Sequence, residues 1–220
     1  ELNRMSFEQM QQTLANIEDF CETFGREPYL YITGGDPILH PDFWRLMELL
    51  REKDIQFTIM GNPFHLTDEA CARLRESGCL RYQLSIDGNR GTHDWFRKPG
   101  SYDETLARIP MLARNGIRSI IMTTVSDVNA GQLPEVIDAV VEAKANVFAF
   151  SRYVPTPGEN MKGLSPLEYR AVLDGAHKKF RAYEDAGCET SFSRKDHLWR
   201  LYEWEEGLWQ IPAGVRKGMV

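Results

Sequence analysis

The chain of 220 residues is 42% hydrophobic and 26% charged, near the globular average, so it can bury a core and disorder is not its default state. A formal charge of −6 without clustered Lys and Arg excludes a nucleic-acid or anionic-membrane footprint, because phosphate contacts need grouped cations. The one short basic cluster, Arg194-Lys195 with Arg200 nearby, is interleaved with Asp196, His197 and Glu203 and reads as a solvated face.

No run approaches the ~18 apolar residues of a membrane span, and no signal peptide opens the chain. The first residue is Glu1, not Met, as in a piece of a longer protein. Cys21, Cys71, Cys79 and Cys188 show neither C-x-x-C nor C-x-x-x-C-x-x-C spacing, and read as structural thiols of a reducing cytoplasm.

Helical and strand patterns alternate from the start. Ser6-Phe7-Glu8-Gln9 has the form of a capping box; Met10, Leu14, Ile17 and Phe24 follow near helical spacing, and Gly25 supplies a stop. Tyr29–Ile32 is a short aromatic and β-branched strand that runs into Thr33-Gly34-Gly35-Asp36-Pro37. A helix from Pro41-Asp42 turns Phe43, Leu46, Met47 and Leu50 inward, and a strand at Gln56–Met60 stops at Gly61-Asn62-Pro63. Thr67 caps a helix running to Gly78, before a strand at Tyr82–Ile86 and the turn Asp87-Gly88. Ser101-Tyr102-Asp103-Glu104 has the form of a second capping box, opening a helix to Asn115-Gly116 that Pro110 should kink. Then come a strand at Ile117–Val125, a helix at Pro134–Lys144 and a strand at Val147–Ser151. Ser165-Pro166 opens a long helix to Ala186, closed by Gly187. The tail from Phe192 carries Trp199, Trp204 and Trp209 with no clear period.

Single helices between strands demand parallel pairing and right-handed crossovers, so the class is α/β. Ligands of such folds collect at the carboxyl ends of the strands. Here those ends are poor strand formers: Gly34-Gly35-Asp36-Pro37, Gly61-Asn62-Pro63, Ser85 with Asp87-Gly88, Ser126-Asp127, and Arg152. Together they predict a polar, glycine-lined mouth suited to a ligand with ammonium, carboxylate and hydroxyl groups.

Ile32-Thr33-Gly34-Gly35-Asp36-Pro37 resembles the GGEP motif of radical S-adenosylmethionine enzymes, with Asp for the usual Glu. Leu84-Ser85-Ile86-Asp87-Gly88, then His93-Asp94 and Arg97, then Gly100-Ser101-Tyr102-Asp103, resembles the run shared by the peptide- and protein-modifying branch with a C-terminal SPASM or twitch domain. Thr123-Thr124-Val125 with Asn129, Tyr153–Gly158, and Leu164–Tyr169 resemble later elements of that branch in the same order, so the resemblance covers roughly residues 6–186. Relatives carry Thr-Asn-Gly where this chain has Met60-Gly61-Asn62, which displaces the asparagine by one position.

The resemblance implies a partial (β/α)6 TIM-like half-barrel spanning residues 1–186, and a segment 187–220 bridging toward a SPASM- or twitch-like domain. The tryptophans of that segment would either pack on such a domain or seal the barrel's open end. The implied cofactors are S-adenosylmethionine and a [4Fe–4S] cluster whose cysteines, with the first strand, are expected upstream of Glu1. Gly34, Gly35, Asp36 and Pro37 would receive the methionyl ammonium, Ser85 and Arg97 the carboxylate, and Asn129 and the backbone around Tyr153 would border the adenosine; Asp87 belongs to the same set, and no catalytic residue is implied. His93-Asp94 reads equally as a device fixing its own loop. The implied activity is reductive cleavage of S-adenosylmethionine to a 5′-deoxyadenosyl radical that abstracts hydrogen from a peptide or protein. A leader-binding domain and a flavodoxin- or ferredoxin-like electron donor are the implied partners. The rival reading is a non-catalytic, barrel-derived module that binds a peptide or nucleotide without a cluster.

Overall fold

A computed structural model describes residues 4–158, 161–194 and 196–208. Six strands form one sheet: β1 (Tyr29–Ile32), β2 (Gln56–Met60), β3 (Cys79–Ser85), β4 (Arg118–Val125), β5 (Val147–Arg152) and β6 (Ser191–Ser193). Their spatial order is their sequence order, and every neighbouring pair is parallel. A sheet that steps one way without reversal is the wall of a barrel rather than a doubly wound sheet, so the α/β half-barrel expected from the sequence is the observed fold.

Helices fill every crossover. α1 (Phe7–Thr23) precedes β1; α2 (Phe43–Glu52), α3 (Asp68–Glu76), α4 (Arg90–Phe96) with α5 (Ser101–Arg114), α6 (Leu133–Glu142) and α7 (Pro166–Asp185) follow strands β1 to β5 in turn, and α8 (His197–Glu205) follows β6. The Ser6–Gln9 box closes as expected, with Ser6 N–H on Gln9 Oε1 at 2.8 Å and Gln9 N–H on Ser6 Oγ at 3.3 Å. Ser165 and Glu168 close a second box at the start of α7, with Pro166 in the first turn. One apolar layer joins Phe57, Ile59, Tyr82, Leu84, Ile121 and Phe148 of the strands to Met47, Leu50, Leu74, Leu112, Val140 and Phe180 of the helices. Each such buried side chain stabilises the fold by ~1.5–3 kcal/mol relative to exposure.

Two expectations change. Ser101 does not cap α5: Gly100, at φ 81°, occupies that position, and Ser101 is a buried first-turn residue. The orphan amides are taken by Asp94, which accepts Gly100 N–H at 2.8 Å and Tyr102 N–H at 2.9 Å. α5 runs unbroken through Pro110. The tail also has order: β6 pairs with β5, and Trp199 of α8 is fully buried between Phe150 and Phe180. Trp204 is exposed; Trp209, Lys195 and the rest of segment 209–220 lie outside the described residues. Trp199 therefore seals the sheet's last edge, and Trp204 leaves an aromatic face on the same helix uncovered.

Candidate functional site

Because all six strands are parallel, their carboxyl ends share one rim. At the end of β1 the chain turns through Gly34 (φ 118°) and Gly35 (φ 53°), conformations that side chains resist, and a Cβ at either would meet nothing within 4 Å. The backbone is thus bare toward a cavity of about 510 Å³, lined by Gly34, Gly35, Asp36, Phe43, Met5 and Arg4 among others. His40 closes its far wall: Asp42 N–H donates to Nδ1 at 3.1 Å, which leaves Nε2–H to donate to Met5 O at 3.1 Å.

Asp36 points back under this turn. Oδ1 accepts Asn62 N–H at 3.3 Å, while Oδ2 is buried without a hydrogen-bond partner. The His65 ring stands 4.0 Å from that oxygen, and the Asp36 side chain is 2% exposed. Burial raises its pKa above the usual carboxylate value; the Asn62 N–H and His65 only partly oppose the rise. Tyr82 reaches up from β3 and donates to Asn62 O at 3.3 Å, occupying the space a side chain on residue 61 would need. The displaced asparagine thus contributes backbone, and Gly61 makes room for Tyr82 and Asp36. Neither Tyr82 nor His65 carried a sequence signal, because each belongs to the site only through packing between strands.

At the end of β3, Ser85 is half-buried and its hydroxyl makes no hydrogen bond among the described residues. Asp87, two residues on, is buried and fully engaged. Oδ1 accepts Thr124 N–H at 2.9 Å; Oδ2 accepts Arg97 Nε at 3.0 Å and Nη2 at 2.7 Å; the backbone N–H donates to His93 Nδ1 at 3.0 Å; and the carbonyl accepts Asn129 Nδ2 at 3.0 Å. Burial depresses the His93 pKa, a trend that Asp87 opposes and Arg97 adds to. The ring is neutral, so Nε2–H donates to Ser101 Oγ at 3.1 Å. His93 and Asp94 are thus loop organisers, the more modest of the two readings their sequence allowed.

Asn129 is likewise spent on the framework. Its Nδ2 also donates to Thr124 O at 2.8 Å, and its Oδ1 accepts Ser126 N–H at 2.8 Å. Tyr153 continues from β5, donating its N–H to Val125 O at 2.7 Å, while its buried hydroxyl has no partner. The described geometry therefore sorts the nine sequence candidates. Gly34, Gly35, Asp36 and Pro37 line the cavity; Ser85 offers a hydroxyl at the end of β3 and Arg97 a guanidinium at the end of α4; Asp87 and Asn129 hold those loops; Tyr153 follows β5.

The arrangement suits a zwitterionic ligand with an attached polar ring system. A bare glycine turn beside a buried, unpaired carboxylate oxygen fits an ammonium, and Ser85 with Arg97 fits a carboxylate. These residues fit S-adenosylmethionine. No group of three His, Cys, Asp or Glu side chains able to hold a metal occurs among the described residues, and all four cysteines are free. Burial pushes the Cys71 thiol up to about 11 and the Cys79 thiol up to about 12, so neither is a ready thiolate ligand.

The family model of the Radical SAM superfamily matches residues 3–140. The chain is 32% identical over 178 residues to an AdoMet-dependent heme synthase of Methanosarcina barkeri, an alignment covering 80% of this chain and 50% of that protein. It is 31% identical over 109 residues to the mycofactocin maturase MftC of Mycobacterium ulcerans, covering 49% of this chain and 30% of that one. The chain thus spans half the length of the first of these relatives, and less of the second. Streptococcus suis SuiB bound to its precursor peptide SuiA superposes with a TM-score of 0.71 at 17% identity, over 93% of this chain and 46% of that one, a likeness of fold. With more than half its length matched by the family model, the chain belongs to the Radical SAM superfamily.

Proposed function

We propose that this chain forms the S-adenosylmethionine-binding wall of a radical SAM enzyme. The observation that carries the reading is Asp36 Oδ2, a buried and unpartnered carboxylate oxygen beneath the Gly34-Gly35 turn. An unpaired buried acceptor costs about 1–3 kcal/mol, more when charged, and an arriving ammonium removes that cost. The glycine turn binds and orients the ammonium end, Ser85 and Arg97 hold the carboxylate, and Asn129 and the backbone at Tyr153 border the adenosine. When bound, S-adenosylmethionine and the [4Fe–4S] cluster supply a 5′-deoxyadenosyl radical that abstracts hydrogen from the substrate. The protein's own part is to bind, orient and keep water out.

The substrate class favoured here is a carboxylate-bearing tetrapyrrole. What supports it is the 32% identity to the AdoMet-dependent heme synthase over 178 residues, 80% of this chain. The second reading is maturation of a peptide, supported by the 31% identity to MftC. The free cysteines support a reducing compartment such as the cytoplasm as part of this reading, with a small redox protein as the proposed electron donor. No helix among the described residues is long and apolar enough to cross a membrane.

The test is 5′-deoxyadenosine release by the full-length, anaerobically reconstituted protein with dithionite, given a carboxylated iron porphyrin or a candidate precursor peptide. Release stimulated by the porphyrin, with loss of carboxylate mass, supports the tetrapyrrole reading. Stimulation by the peptide alone moves the assignment to peptide maturation, and absence of any release contradicts the radical reading.

A further inference from the structure

The geometry points to Asp87 as the positioning residue of Arg97, acting on the ligand's carboxylate through the guanidinium it holds rather than by touching the ligand. This inference rests on the S-adenosylmethionine reading and deepens it. Four contacts carry it. Arg97 ends α4 and is 43% exposed, on a backbone that offers no constraint on a long, rotamer-rich side chain. What restrains it is Asp87 Oδ2, which takes both Nε and Nη2, at 3.0 and 2.7 Å. The Asp87 carboxylate is itself fixed at its other oxygen by Thr124 N–H at 2.9 Å, so it is anchored to the end of β4 as well as β3. The loop carrying it is fixed twice more, by His93 Nδ1 on its N–H and by Asn129 Nδ2 on its carbonyl.

The consequence is chemical. Asp87 consumes one edge of the guanidinium, and Nη1 has no partner among the described residues. Arg97 therefore keeps donors for a second carboxylate while its orientation is set in advance, so less side-chain entropy is lost when that carboxylate binds. Both oxygens of Asp87 already accept hydrogen bonds from the protein, and a like-charged ligand carboxylate would be repelled by it in the absence of Arg97. Its function toward the ligand has to pass through the arginine.

A binding cycle tests this on the cluster-loaded, full-length protein with two probes: S-adenosylmethionine, and 5′-methylthioadenosine, which lacks the methionyl ammonium and carboxylate. Asp87→Asn keeps the shape and removes the charge. The expected result is roughly tenfold weaker binding of S-adenosylmethionine, with 5′-methylthioadenosine changed by less than about twofold. In an Arg97→Met background, Asp87→Asn is expected to cause no further loss and to recover part of it, because the guanidinium it held is gone and the charge that repels the ligand carboxylate goes with the substitution. If Asp87→Asn does not fold, Asp87→Glu, which keeps the charge but shifts it by one methylene, is expected to give a smaller but equally selective loss. Equal weakening of both probes, or losses that multiply in the double variant, would overturn the inference and leave Asp87 a general scaffold residue. A wild-type protein that binds neither probe overturns the S-adenosylmethionine reading itself, and that outcome differs from every one above.

Discussion

His93 Nδ1 accepts the backbone N–H of Asp87 at 3.0 Å, so the imidazole that ties α4 to the end of β3 must stay neutral to do so. Burial lowers its pKa from the model-compound value of 6.5. In the unfolded chain the ring protonates as pH falls through about 6.5, while in the folded chain it resists, so the unfolded state binds more protons there. Stability is therefore level in this respect above about 6.5 and declines as pH drops below it, with a slope of up to about 1.4 kcal/mol per pH unit. Thermal melts from pH 8 to 5 should show this decline in wild type and its reduction in His93→Gln. An unchanged pH profile in the variant would assign the acid sensitivity to other groups.

Gly61 owes its presence to Tyr82. A Cβ there would collide with the Tyr82 hydroxyl and stand 3.0 Å from Asp36 Oδ1. Tyr82 is almost fully buried and cannot swing away. Gly61→Ala should cost about 1–3 kcal/mol, a fall of several degrees in melting temperature for a chain of this size. Tyr82→Phe in the same chain should recover part of that loss by removing the atom in the way; calorimetry on the single and double variants decides it.

If Asp36 serves the proposed ligand, its burial sets stability against binding. Its folded pKa is raised, so the unfolded chain ionises it more readily, and the ligand-free fold loses stability as pH rises from about 3.8 to the higher folded value and stays lower beyond it. Asp36→Asn should therefore raise the melting temperature of the ligand-free protein by the equivalent of ~1 kcal/mol at neutral pH and weaken S-adenosylmethionine binding. A variant both less stable and unimpaired in binding would remove Asp36 from the site.

Asp94 holds the start of α5 through two backbone amides, at 2.8 and 2.9 Å. Asp94→Ala should cost ~1–2 kcal/mol, as losing an N-cap does, and Ser101→Ala a comparable ~1–3 kcal/mol by a different route, since it leaves the buried His93 Nε2–H without its acceptor. Urea titrations of the two variants compare them directly.

Much of this was legible in the residues. The alternation of apolar strands with capped helices specified parallel βα units, and motif order located Gly34 and Ser85 at strand ends. What stayed hidden has physical causes. α4 is only seven residues long, with His93 as its buried residue, so it has no apolar stripe to detect. β6 is three residues long and α8 nine, too short for periodicity to stand out from the tail. The Ser101 box failed because spacing shows which residues are able to cap, while Asp94 reached the same amides from the preceding helix. The Asp36–Asn62–Tyr82 contact joins three strand ends and is invisible to any local pattern.

The most direct test of the account is electron paramagnetic resonance of the full-length, anaerobically reconstituted and reduced protein, recorded before and after addition of S-adenosylmethionine. The account predicts a reduced [4Fe–4S] signal whose g-values shift when S-adenosylmethionine is added, and a smaller shift in Arg97→Met. A protein that assembles no cluster after reconstitution, or whose signal is indifferent to S-adenosylmethionine, would contradict it.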